Sequence, residues 1–118
     1  MTIELPNPPS ANKYWRRVGN YTILSKEARD YKLAVRAACV QQGVKPLRGD
    51  LRASVWWRRA RRSGDLDNIS KGLFDAIKGH AYEDDKQLVE IHLYRSDDKT
   101  NPGITVEVSS AQTPPQSP

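Results

Sequence analysis

The chain has 118 residues, 37% hydrophobic and 28% charged, with 19 Lys and Arg against 14 Asp and Glu for a formal net charge of +5. That length supports one hydrophobic core rather than two, and the single cysteine, Cys39, excludes an intramolecular disulfide and a cysteine-rich zinc site. No apolar run approaches the ~20 residues that cross a bilayer, so no membrane partner is expected, while the positive balance favours an anionic partner such as nucleic acid without requiring one.

From the N-terminus, Ile3 to Leu5 alternate with polar neighbours and then meet "PNPPS", which predicts a short strand ended by a proline turn. The opening "MTIELPNPPS" lacks the charged-then-apolar order of a secretory signal, and a cytoplasmic location is expected. "ANKYWRR" reads as a loop rich in aromatic and basic groups. In one reading Lys13, Tyr14, Trp15, Arg16 and Arg17 touch DNA through stacking and phosphate contacts. In the other, Tyr14 and Trp15 pack the loop onto the core and the cations are solvated. "YTIL" reads as a brief extended piece. Ser25 then caps the helix "SKEARDYKLAVRAACVQQG", with Glu27 in the first turn, Gly43 at the stop, and Tyr31, Ala34, Val35 and Ala38 as the apolar stripe. Cys39, in the same Ala-rich run, reads as a small buried hydrophobe.

Leu51 to Trp57 alternates, with Leu51, Ala53, Val55 and Trp57 on one face, which predicts a strand buried on one side. Trp56 and Trp57 therefore divide between the core and a surface for DNA or a second subunit. A second helix fits Asn68 to Lys78, with Ile69, Leu73, Phe74 and Ile77 inward and Gly79 closing it. "QLVEIHLYRS" and "GITVEV" read as two strands joined by "DDKTNPG" as a hairpin loop. His80 and His92 lack any paired metal-ligand spacing, so structural roles are expected. The tail "SSAQTPPQSP", residues 109–118, has little to bury and prolines that prevent pairing, and is expected to be disordered. Together these elements predict one α+β domain over residues 1–108, with a mixed sheet of about four strands and two main helices. Dimerisation would help so small and polar a chain to cover its apolar faces.

The segment "RRARRSGDLDNISKGLFDAIKGHAYEDDKQ" sets Arg58, Arg59, Arg61 and Arg62 before Asp65 and Asp67, and ends in a second acidic cluster, Glu83 to Asp85. In extended backbone, residues i and i+2 point the same way, about 6.6 Å apart at Cα, so the two aspartates can converge on one point. Like charges held so close repel unless a proton or cation intervenes, and a hard divalent ion such as Mg²⁺ suits carboxylate oxygens. The competing reading makes Asp67 or Asn68 an N-cap and lets Asp65 pair with the arginines. The second cluster favours the metal reading, because a return of the chain after the helix can bring it beside the helix N-terminus. Lys71, four residues after Asp67, can share a helix side with it, either as an ion pair or as a cation aimed at a scissile phosphate. Carboxylates that bind a cation become a local positive centre, and the four arginines can then hold phosphates on either side. That combination suits a phosphodiester-cleaving metal nuclease. A non-catalytic basic DNA-binding protein, with the aspartates merely capping and spacing the arginines, is the alternative. A metal nuclease acting on flap or single-stranded DNA is another.

The stretches "GDLDNISKGLFDAI" and "EDDKQLVEI", with the opening "LPNPPSANKYWR", resemble the RusA family of Holliday junction resolvases of phages and prophages, over most of residues 3 to 108. The resemblance implies a small homodimer that binds four-way junction DNA and cuts two opposing strands symmetrically with Mg²⁺. It places the family's essential aspartates on Asp65, Asp67 and Asp85 and its catalytic lysine on Lys71. The segment from the helix to "DD" is one residue shorter here, so Asp84 competes with Asp85 for the ligand position. Gly64 stands where the family carries arginine, which moves any phosphate contact there to Arg61 or Arg62.

Overall fold

The structure is a computed structural model that describes residues 1–60 and 66–111, apart from the side chain of Asp67. Its elements are β1 (Thr2–Leu5), α1 (Ala11–Tyr14), β2 (Trp15–Val18), β3 (Tyr21–Leu24), α2 (Lys26–Gln41), β4 (Leu51–Arg59), α3 (Leu66–Ile77), a 3₁₀ turn (Asp85–Gln87), β5 (Leu88–Asp97) and β6 (Gly103–Ser110). The α+β expectation holds. A four-stranded mixed sheet runs in the order β1-β6-β4-β5, and β2 and β3 form a separate antiparallel pair.

The period-2 pattern of β4 sends Leu51, Ala53, Val55 and Trp57 to one face, where all four are buried with Ile104, Val106 and Val108 of β6 and Ile3 and Leu5 of β1. The helices supply the other half of the core: Ala28, Tyr31, Val35 and Cys39 from α2, and Ile69, Leu73, Ala76 and Ile77 from α3. The α2 stripe is rotated from the expected one. Ala34 is exposed, and Ala28 and Cys39 take core places, because a short alanine side chain does not by itself fix which face turns inward. Burial alone pushes the Cys39 thiol pKa up, as its reading as a small hydrophobe requires. Ser25 caps α2 as expected, its Oγ accepting from Ala28 N at 3.1 Å. Ser25 also ties α2 to α1, its hydroxyl donating to Lys13 O and its N–H to Tyr14 O.

Two expectations are corrected. "ANKYWRR" is not a loop but the helical turn α1 followed by β2, which pairs with β3 from Trp15↔Leu24 to Val18↔Tyr21. "DDKTNPG" is not a hairpin loop either: β5 pairs parallel to β4, while β6 lies between β1 and β4, antiparallel to both. Alternation reports which face of a strand is buried but not which strand lies beside it. The parallel pair requires a crossover, and α3 provides it. The strand β6 also extends past the expected domain end, with Ser109 and Ser110 paired to Arg52 and Leu51. Residues 112–118 of the expected tail lie outside the described residues. Among the described residues no helix is long and apolar enough to cross a membrane.

Candidate active site at the α3 crossover

The helix α3 buries Ile69, Leu73, Ala76 and Ile77 and turns Lys71, Asp75 and Lys78 outward, a spacing of four and three residues that places all three along one side. The helix begins at Leu66, two residues before the expected start, so Asp67 lies inside its first turn rather than capping it. After Ile77 the chain reverses sharply. Gly79 takes φ +88°, its N–H donates to Tyr82 O at 2.6 Å, and the Tyr82 hydroxyl donates to Phe74 O at 2.7 Å. With Ala81 and Tyr82 fully buried, this turn folds the second acidic cluster back against α3. Burial, and then the negative charge of Asp85, push the Tyr82 phenol pKa up, so it stays a neutral donor.

The return brings Asp85 to within 3.6 Å of Lys78 (Oδ2 to Nζ), with its side chain 63% exposed. Asp85 and Lys71 line one groove of about 500 Å³, floored by Phe74 and by Ile91 and Leu93 of β5 and edged by Trp15. Asp84 is used differently. Its Oδ1 accepts from Lys86 N at 3.0 Å, and its own N–H donates to Gln87 Oε1 at 3.0 Å, a capping box that starts the 3₁₀ turn. Gln87 Nε2 then donates to Leu47 O and Gly49 O, anchoring the turn. One member of the acidic pair is thus a structural cap and the other faces the groove.

Asp75 is a groove residue that the sequence reading passed over. Its Oδ2 accepts from the Tyr14 hydroxyl at 2.7 Å and lies 3.5 Å from Lys32 Nζ. The signal was present in its place four residues after Lys71, on the same helix side, but a lone aspartate in a helix carries no distinguishing spacing.

Several expected site residues stand elsewhere. Tyr14 is corrected from a DNA contact to a core residue. It is 0% exposed and sits against α3 so closely that a Cβ on Gly72 would lie 2.8 Å from its ring. Its pKa is pushed upward by burial first and then by the hydrogen bond to Asp75. Arg58 and Arg59 are engaged within the chain. Arg58 donates to Asn101 O, Thr105 Oγ1 and Glu4 Oε2, and Arg59 donates to Asp97 Oδ1 at 2.6 Å and covers the Trp57 ring at 5.9 Å. These acceptors lie on β1, β5 and β6 and in the loop that precedes β6. Lys13, Arg16 and Arg17 are exposed. Asp65, Arg61 and Arg62 lie outside the described residues, as does the side chain of Asp67. Among the described residues no three His, Cys, Asp or Glu side chains gather as a metal site. Trp57 is buried at 6% exposure, while Trp56, at 39%, stacks on Tyr94 with ring centres 5.6 Å apart. His92 bonds Glu90, with Nε2 2.7 Å from Oε1.

Comparison with known proteins bears on what this groove serves. The family model described as endodeoxyribonuclease RusA matches residues 6–109. The chain belongs to the RusA family. Relatives named crossover junction endodeoxyribonuclease occur in Enterobacteria phage HK97, 35% identical over 99 residues that cover 77% of this chain and 78% of its own length, and in Escherichia coli K12, 32% identical over 100 residues, 80% and 81%. The relative of Enterobacteria phage 82 is 31% identical over 99 residues, 79% and 80%. The family match spans β4, α3, the acidic return and β5, so the groove lies within the RusA domain.

Proposed function

We propose that the chain is a Mg²⁺-dependent endodeoxyribonuclease that resolves four-way DNA junctions by paired, symmetric phosphodiester cleavage, acting as a homodimer in the cytoplasm of a bacterial cell and encoded by a phage or prophage. The observation that carries this reading is that Lys71 and Asp85 line one groove along α3, the helix that also carries Asp67, in a member of the RusA family.

The residues fit a hard divalent cation. Asp85 presents a solvent-open carboxylate while Asp84 is committed to its cap, and an ion that keeps several of its waters needs only one or two such ligands. Asp65, Asp67 and Asp85 would hold Mg²⁺, which when bound supplies positive charge at the scissile phosphate and activates water for attack on phosphorus. The Lys71 ammonium stabilises the negative charge that builds on the non-bridging phosphoryl oxygens in the transition state. Lys78, paired with Asp85, holds that carboxylate in the groove. Trp15, Arg16 and Arg17, all exposed in β2 beside the groove, receive the strand by stacking and phosphate contact, with Lys13, Arg61 and Arg62. Two copies related by a two-fold axis would match the pseudo-symmetry of a junction that needs two opposed nicks.

The deciding experiment incubates the protein with four-way junction, flap and linear duplex DNA, with and without Mg²⁺. Paired nicks in the junction that require Mg²⁺ and vanish in Asp85→Asn are expected. Nicking of flap or single-stranded DNA in preference to junctions would move the substrate class. Binding with no cleavage of any substrate would leave a DNA-binding protein.

A further inference from the structure

A second groove, of about 710 Å³, opens between α2 and the end of α3. Its cations are Arg29, Lys32 and Arg36 from one stripe of α2, with Lys78 from the far side, where His80 also lines it, and no described carboxylate lines it. Asp30, the acid nearest these cations in sequence, is engaged by Lys26 at 3.1 Å. Among the described residues, Arg29 and Arg36 have no carboxylate partner.

This groove adjoins the candidate active site. Lys32 holds Asp75 at 3.5 Å and Lys78 holds Asp85 at 3.6 Å, and both aspartates line the first groove while both lysines line the second. The two ion pairs therefore form a shared wall. Beyond that wall, Arg29 and Arg36 are seven residues apart on one helix, about 10 Å along its axis, which matches about three base-pair steps of a duplex at 3.4 Å each.

We propose that this second groove is a phosphate track that seats one duplex arm of the DNA whose strand is cut in the neighbouring groove; the inference rests on the nuclease reading above. Arg29 and Arg36 are its principal contacts, and Lys32 and Lys78 bind phosphate only to the extent that their aspartates release them. The charge complementarity and the shared wall favour DNA. An anionic lipid surface is the competing occupant, because Leu33 and Val40 are also exposed on α2.

The test compares the full-length protein with Arg29→Gln/Arg36→Gln and with a control that removes two exposed cations elsewhere, Lys45→Gln/Lys99→Gln. Binding to a labelled four-way junction is measured without divalent ions from 50 to 200 mM NaCl, alongside binding to phosphatidylglycerol vesicles. The arginine variant is expected to bind about tenfold more weakly and to lose about 2 from the slope of log affinity against log salt, the loss of two phosphate contacts. The control should keep most of the wild-type slope. Wild-type affinity and slope in the arginine variant, or an equal loss of slope in the control, overturns the track. Loss of vesicle binding with junction binding intact assigns the groove to a membrane and also overturns it. Absence of junction binding by the wild-type protein overturns the nuclease reading itself.

Discussion

The Tyr14 hydroxyl donates to Asp75 Oδ2 across 2.7 Å, and this contact fastens the first helical turn of the chain to a wall of the groove. Tyr14→Phe keeps the buried ring and removes the donor, leaving Asp75 to Lys32 and solvent. A loss of about 1 kcal/mol is expected, as for a single hydrogen bond to a partly exposed charged group. Urea unfolding measures it. Junction affinity should stay at wild type, since the fully buried ring does not reach DNA. A large loss of junction affinity in a stably folded Tyr14→Phe protein would return Tyr14 to the DNA interface.

Asp84 and Asp85 are adjacent but differently employed, and substitution separates them. Asp85→Asn is expected to lower junction cleavage by about a hundredfold or more with binding retained, because a ligand beside the scissile phosphate loses its charge. Lys71→Gln should cost about a hundredfold by withdrawing charge from the transition state. Asp84→Ala should instead cost about 1 kcal/mol of stability through the lost N-cap while leaving cleavage within a few-fold of wild type. Single-turnover nicking beside chemical denaturation distinguishes the three. Equal cleavage defects at positions 84 and 85 would mean that the cap is not the whole role of Asp84.

Gly72 lies against the Tyr14 ring, where α3 leaves no room for a side chain. In an open helix, Gly→Ala stabilises by up to about 1 kcal/mol, but here the added Cβ would lie 2.8 Å from a ring atom of a fully buried tyrosine. Overpacking of this kind costs about 1–3 kcal/mol. Gly72→Ala is therefore expected to lower the urea midpoint, whereas Ala at an exposed helix position would raise it.

Glu90, on the sheet face away from the helices, gives a pH signature. The hydrogen bond to His92, and next the one to Arg52, hold its carboxyl below the usual glutamate range. A carboxyl depressed in the folded state contributes stability above its unfolded pKa, and that contribution is lost as pH falls through the folded value. Titration of Glu90 by carboxyl NMR should give a pKa below that of a free glutamate in the wild type and a higher one in His92→Phe. No change in His92→Phe would assign the depression to Arg52 alone.

Local chemistry made much of the chain legible without coordinates. Ser25 capping α2, Gly79 ending α3 and the division of Trp57 from Trp56 by alternation all depend on residues within a few positions of one another. The pairing of Lys71 with the "DD" cluster was legible as a motif, through its resemblance to RusA proteins. What sequence could not supply was adjacency. The order β1-β6-β4-β5, the use of Arg58 and Arg59 by neighbouring strands, the burial of Tyr14 against Gly72 and the entry of Asp75 into the groove all follow from which surfaces meet. Sequence periodicity fixes the direction in which a side chain leaves its own element, because backbone geometry repeats every two or 3.6 residues. Its partner is set by long-range packing, and here that packing made Asp84 a cap and set Asp85 beside Lys78, in the groove that Lys71 lines.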